Sequence, residues 1–128
     1  MIRHSRWCGL FFVSLLLTAA GCVIYPVRVE VEDHKTASFD GVQRVAVDTR
    51  NGAIEVRCDP QAKQVEVHSV RSARGMAEKD AREFAEKIEI EVGNDTARPG
   101  TLRIASKMLV LDSNRSQSAR FNIVMPPN

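Results

Sequence analysis

An alternation of apolar and polar residues governs this chain from Val27 onward and limits what it can fold into. In the run VRVEVE, which begins at Val27, every second residue is a valine and the residues between are charged. Successive side chains of a β-strand point to opposite faces, so the run predicts a strand with one buried face. The same alternation recurs in KQVEVHSVRS, KIEIEV, TLRIAS and ARFNIVMP. The sequence therefore predicts a mainly β protein with antiparallel strands.

One pair of residues predicts how two of these strands are joined. Asn51 and Gly52 separate the β-prone runs VQRVAVDTR and AIEVRC. Asn and Gly tolerate the positive φ angles that both central residues of a type I′ turn require. We therefore predict a β-hairpin with its turn at Asn51 and Gly52.

The segment GMAEKDAREFAEKI departs from the alternation. Its apolar residues recur at spacings of four, three and four, which is the period of one helix face. This apolar stripe consists of Ala77, Ala81, Phe84 and Ile88. We predict one amphipathic helix that covers a face of the sheet, with Ile88 marking the return to strand.

The first 21 residues have the organisation of an export signal. Arg3 and Arg6 precede an apolar run, Trp7 to Ala20, that is too short to cross a hydrocarbon core of about 30 Å as a permanent helix. Small residues follow it and lead directly to Cys22. The alternative to lipoprotein processing is ordinary secretory cleavage near Ala20, with an incidental cysteine.

The stretch LTAAGC resembles a bacterial lipobox. The resemblance implies cleavage between Gly21 and Cys22, a diacylglyceryl group on the Cys22 thiol, and a membrane tether without a spanning segment. Val23 follows the cysteine where an Asp would favour inner-membrane retention. A residue other than Asp at this position resembles the preference of Gram-negative lipoproteins that are sorted to the outer membrane.

Charge and cysteine content exclude several classes of protein. Arg3 and Arg6 leave with the signal, so 16 of the 18 Lys and Arg residues remain. They balance the 16 acidic residues, and the mature chain is therefore formally neutral. The charges are interleaved, which argues against nucleic-acid binding. Cys8 lies in the signal and Cys22 carries the lipid, so Cys58 has no disulfide partner within the chain. Its place at the end of a strand predicts a small buried or half-buried side chain rather than a reactive thiol.

No sequence motif of nucleophilic, metal-dependent or phosphate chemistry occurs in the chain, so we expect no catalytic residue, metal site or cofactor. His68 is predicted to face solvent as a lone imidazole. The same-face carboxylate pairs are explained by strand exposure; they are Glu30 with Glu32 and Glu89 with Glu91.

The order of elements from Phe39 to Asn128 resembles the opening segment of the bacterial "putative adhesin" family of β-strand-repeat proteins, a domain of unknown function. NGAIEV is similar to the family's recurrent Asn/Ser-Gly-Asp-Ile-acid-Val pattern, with Ala53 in place of an acidic residue, and VMPPN is similar to its Val-Pro-Pro-Asn junction. The resemblance implies the start of a right-handed β-helix or solenoid. We accordingly divide the chain into a signal (1–21), a lipidated tether with the first strand (22–38) and an adhesin-like β domain (39–128).

We also expect the natural reading frame to continue beyond Asn128 into short β-repeats. ARFNIVMPP is an apolar strand at the extreme end, and we expect it to leave an open sheet edge that promotes self-association unless a further rung covers it.

The sequence thus predicts a lipid-anchored cell-envelope protein with a binding or structural role, whose partner is an envelope protein or an extracellular ligand. A periplasmic envelope-structure factor that binds a partner through a sheet edge is the alternative. A carbohydrate-active β-helix enzyme is a weaker third hypothesis, because no converging carboxylates are evident.

Overall fold

The computed structural model describes residues 24–108 and 116–127. Gly21 and Cys22, with the rest of the predicted signal, lie outside the described residues. Seven strands and one helix follow in chain order: β1 (Val27–Ala37), β2 (Arg44–Asp48), β3 (Ile54–Cys58), β4 (Val65–Gly75), α1 (Glu78–Glu86), β5 (Glu89–Asn94), β6 (Thr101–Lys107) and β7 (Gln117–Met125).

The strands form two mixed sheets. The four-stranded sheet has the order β1-β4-β7-β3, in which only the pair β7 and β3 is parallel. The three-stranded sheet has the order β2-β6-β5, in which β2 and β6 are parallel. The prediction of a mainly β fold with one helix is confirmed, but the predicted antiparallel arrangement is wrong for two strand pairs, because β3 and β7, and β2 and β6, are joined by pairings that link distant segments in parallel. The described residues form no stacked solenoid rungs, so the β-helix is not confirmed.

The core lies between the two sheets. The alternation in β4 and β7 turns Val67 and Phe121 inward, where they meet Leu102 and Ile104 of β6. The helix α1 covers the same face of the four-stranded sheet, because its buried Phe84 packs against Ala73 of β4. The three-stranded sheet and α1 therefore form one layer, and the opposite face of the four-stranded sheet carries mostly exposed and half-buried side chains, apart from the buried Val70 and Ser72. We call that face the outer face.

The predicted helix is confirmed, with one exception in its apolar stripe. Ala81, Phe84 and Ile88 are buried, whereas Ala77 is exposed at the start of the helix. Ile88 stands between the end of α1 and the start of β5, as the change of period predicted. At nine residues α1 is short, and no helix in residues 24–108 and 116–127 has the length and apolarity to cross a bilayer.

The predicted hairpin is wrong. β2 and β3 belong to different sheets, and only Gly52 of the two turn residues has a positive φ, of 143°. The connecting chain lies beside β7, where Ala119 N–H donates to the Asn51 carbonyl at 2.8 Å and Asn51 Nδ2 donates to the Gln117 carbonyl at 3.3 Å. An Asn-Gly pair reports only a local preference for turning. β2 pairs with the inner strand β6, and β3 pairs with the inner strand β7. Both partners lie far away in sequence, and these pairings decide which sheet each strand joins.

The terminal strand is also not the open edge that the sequence suggested. β7 lies between β4 and β3, and its Phe121 and Ile123 are buried. Two strands from earlier in the chain flank it, so the expected uncovered edge at β7 is wrong. The end strand on that side is β3, in which all five residues are exposed.

Candidate functional site

A row of polar side chains crosses the outer face of the four-stranded sheet. In the strand register His34 of β1 stands opposite His68 of β4, His68 opposite Asn122 of β7, and Asn122 opposite Glu55 of β3. Side chains in such cross-strand positions are direct neighbours on one face. We call these four residues the polar row.

The polar row forms the floor of a shallow groove of about 340 Å³. The next row of the same face supplies the rest of its lining, because Glu66 stands opposite Val124 and Val124 opposite Arg57. All four strands therefore contribute to this groove, and none of its side chains is held by a loop. A site built on strands of a packed sheet has a fixed spacing of its polar groups.

The electrostatics of the groove are mixed. The imidazole centroids of His34 and His68 lie 6.4 Å apart, and Nε2 of His68 lies 3.7 Å from Oε2 of Glu32. The side chains of His68 and Glu32 are 42% and 71% exposed, so this contact contributes at most about 1 kcal/mol to stability. The lining of the groove also includes the acidic residues Glu55 and Glu66 and the basic residue Arg57. A groove with both signs of charge suits a polar, hydrogen-bonding partner rather than a strongly charged one.

The groove does not have the ligands of a metal centre. Structural zinc sites use four nitrogen, sulfur or oxygen ligands, and catalytic ones use three. Within residues 24–108 and 116–127, no group of three or more His, Cys, Asp or Glu side chains could hold a metal ion.

Of the residues singled out from the sequence, His68 lines the groove, whereas the others described below lie outside its lining. His68 lies on the outer face as predicted, but it is half-buried and is not a lone imidazole, because the ring of His34 lies 6.4 Å from its own. The carboxylates of Glu30, Glu32, Glu89 and Glu91 are exposed, as strand alternation required. Asn51 and Gly52 lie against β7 and form no part of the groove lining.

The prediction for Cys58 is wrong, because its side chain is exposed. β3 ends the sheet, and Cys58 lines a shallow surface depression with Phe39 and Met125. Its local sequence does not distinguish an inner strand from an edge strand, and only that difference decides its burial.

The polar row was not found from the sequence, although each of its members lies at an outward position of an alternating run. The alternation assigns His34 and His68 to a face, but it does not align one strand with another. The alignment is set by register, which is a property of the assembled sheet.

Comparisons with known proteins add little to what the geometry of the groove shows. No protein-family model matches the chain, and no curated protein matches it. Among solved structures, the chain is similar to a "putative cell adhesion protein" from Clostridium sporogenes, with 14% identity and a TM-score of 0.43. The match covers 77% of this chain and 42% of the other, so this chain spans less than half the length of that neighbour. No functional inference rests on a similarity of this size.

Proposed function

We propose that this chain is a lipid-anchored protein of the cell envelope that presents the outer face of its four-stranded sheet to a partner, as an adhesin-like binding module. The observation that carries the proposal is the position of Ile24 and Met76. These two large apolar side chains are 73% and 60% exposed. Both lie at the end of the fold from which the chain leads back to Cys22.

The strand register brings these two residues to one end. Val27 stands opposite Gly75, so Ile24 precedes and Met76 follows the same cross-strand pair. Five residue steps separate Cys22 from Val27, a distance of at most about 18 Å in a fully extended chain. A lipid on Cys22 would therefore hold this end of the fold near the bilayer surface. Exposed apolar side chains there add membrane affinity to that of the acyl chains.

With the chain anchored at Cys22, the groove would lie away from the membrane. His34 is seven residues beyond Val27 along β1, which at a strand rise of about 3.3 Å per residue places the polar row up to about 23 Å farther from the anchored end. The groove is thus open to a partner in the compartment that the fold faces.

The finer parts of the proposal come from the sequence. They are processing at Gly21 and Cys22, fatty acylation including palmitate, and an outer-membrane location favoured by Val23. The proposal is limited to binding and includes no reaction, cofactor or nucleic acid. The second candidate is a periplasmic structural factor that binds an envelope protein through a sheet edge, which the exposed strand β3 favours.

The anchor is tested by expressing the full chain in bacteria with a labelled palmitate analogue. We expect the wild-type chain to be labelled and to sediment with membranes, and Cys22→Ala to be unlabelled. Cys58→Ala is the matched control, because it removes an exposed thiol that the proposal does not acylate. Label on the Cys22→Ala chain would refute the anchor.

Location is tested by protease treatment of intact cells. A surface-facing module is cleaved in intact cells, whereas a periplasmic factor is cleaved only after the outer membrane is permeabilised. Protection in intact cells would reject the adhesin-like role in favour of the periplasmic one.

A further inference from the structure

The edge strand β3 has a surface that its own fold leaves incomplete. Ile54 and Val56 are 44% and 47% exposed, although they lie on the face that β7 turns toward the core. In the described part of the chain β3 has one strand neighbour, β7, on one side. An uncovered edge of this kind is a template for pairing with another strand.

The backbone of β3 alternates between β7 and solvent. Phe121 N–H donates to the Ala53 carbonyl at 2.9 Å, so the polar backbone groups of Ala53 point toward β7. In a parallel pair the N–H and C=O of one residue point to the same side, and the next residue points to the other. The backbone N–H and C=O groups of Glu55 and Arg57 therefore also point toward β7. The backbone groups of Ile54, Val56 and Cys58 point outward from the sheet.

We propose that β3 pairs with β3 of a second copy of this chain in an antiparallel arrangement, about a two-fold axis at Val56. In this register Val56 pairs with Val56 of the other copy, and Ile54 pairs with its Cys58. All of these are outward-pointing residues, so each pair exchanges both backbone hydrogen bonds. The two four-stranded sheets then become one continuous sheet.

The side chains of β3 are complementary to themselves in this register. Glu55 stands opposite Arg57 of the second copy, in a non-hydrogen-bonded pair whose Cα atoms are about 4.5 Å apart. The two-fold axis repeats this pair of opposite charges. On the other face the apolar side chains of both copies form one row, which covers Ile54 and Val56.

Charge also selects against the neighbouring registers. Moving the two-fold axis by one residue shifts the two strands by two residues relative to each other. Such a shift keeps outward-pointing residues opposite one another. One such slip places Glu55 opposite Glu55 of the second copy, and the other places Arg57 opposite its Arg57. Like charges directly opposite each other destabilise a strand pair. The sequence of β3 therefore fits a second copy in one register.

The interface is small, so the dimer is a weak one. An edge of five residues falls below the roughly 1,200 Å² of a stable interface. Two chains tethered to one membrane would meet at a high effective concentration. The inference goes beyond the proposed function, and only this effective concentration rests on the proposed anchor.

The register is tested by disulfide trapping in the full chain with Cys58→Ser. In the pairing above, a cysteine at position 56 faces its own copy with Cα atoms about 5.5 Å apart, which is within disulfide range. Two cysteines at position 54 are separated by four residues, or about 13 Å along the strands. We expect Val56→Cys to give a dimer on non-reducing gels after mild oxidation and Ile54→Cys to give none.

These two variants are matched in strand, face and exposure. Restoring Cys58 in the Ile54→Cys chain should restore the dimer, because positions 54 and 58 are opposite. The Cys58→Ser parent retains Cys8 and Cys22 and reports any trapping through them. Equal trapping of both cysteine variants, or of neither, would overturn the proposal.

The charge pairing is tested in the Val56→Cys, Cys58→Ser chain. Glu55→Arg alone and Arg57→Glu alone place like charges opposite each other, and we expect each to lower the dimer yield several-fold. The double exchange restores opposite charges and should restore the yield. A double exchange that remains as low as the single changes would contradict the register.

Discussion

At the scale of the residue, close backbone approach explains more of this structure than turn preference does. A Cβ at Gly52 would lie 1.9 Å from the Ala119 carbonyl oxygen, and the φ of Gly52 is one that side chains rarely adopt. Glycine is therefore required where the chain crosses between the sheets beside β7. The sequence predicted the need for glycine there but assigned it to a hairpin turn.

We predict that Gly52→Ala lowers the free energy of unfolding by about 2–4 kcal/mol, because it combines a strained φ with a clash against backbone that cannot move aside. Gly93→Ala is the control, since a Cβ there meets nothing within 4 Å. Urea unfolding of both variants measures the difference. Equal midpoints for Gly52→Ala and the wild-type chain would contradict the close approach.

At the scale of the element, α1 depends on a side chain from outside the helix. It has no basic residue in its last turn, where a positive charge would stabilise the unpaired carbonyls. Arg71 of β4 supplies this charge, since its Nη1 donates to the carbonyls of Glu86 at 3.4 Å and Ile88 at 3.0 Å. The end of the helix is thereby fixed to the strand that it covers.

We predict that Arg71→Met lowers the free energy of unfolding by about 1–3 kcal/mol, because carbonyls at the end of α1 lose a charged donor while the apolar stem is kept. Arg82→Met is the control on the helix itself. Arg82 is half exposed and pairs with Glu78 at 3.6 Å, so its loss should change stability by less than about 0.5 kcal/mol. Thermal melts of the two variants give the comparison, and similar losses for both would reject the capping role of Arg71.

At the scale of the whole molecule, β1 is an integral part of the sheet. All eleven of its residues pair with β4, and Val29 is buried on the same face as α1. The adhesin-like segment predicted from the sequence begins after β1, at Phe39. A fragment with that boundary would lose one whole strand of the four-stranded sheet.

We predict that residues 39–128 alone do not melt cooperatively, because β4 becomes an unpaired edge and the apolar surface beneath α1 is uncovered. Residues 24–128, which keep β1, are the control and should show a single thermal transition by circular dichroism. A cooperative melt of the 39–128 fragment at the same midpoint would show that β1 is dispensable.

The sequence by itself determined the elements of this protein. Its two periods separated strands from helix, and they assigned the faces of β4, α1 and β7, because the direction of a side chain is a local consequence of backbone geometry. Only the tertiary structure decided which strands are neighbours. It placed β7 inside the sheet, left β3 and Cys58 at the edge, and aligned His34, His68, Asn122 and Glu55 into one row. Pairing and register depend on contacts between residues distant in sequence, such as Glu55 and Asn122, and no local pattern specifies them.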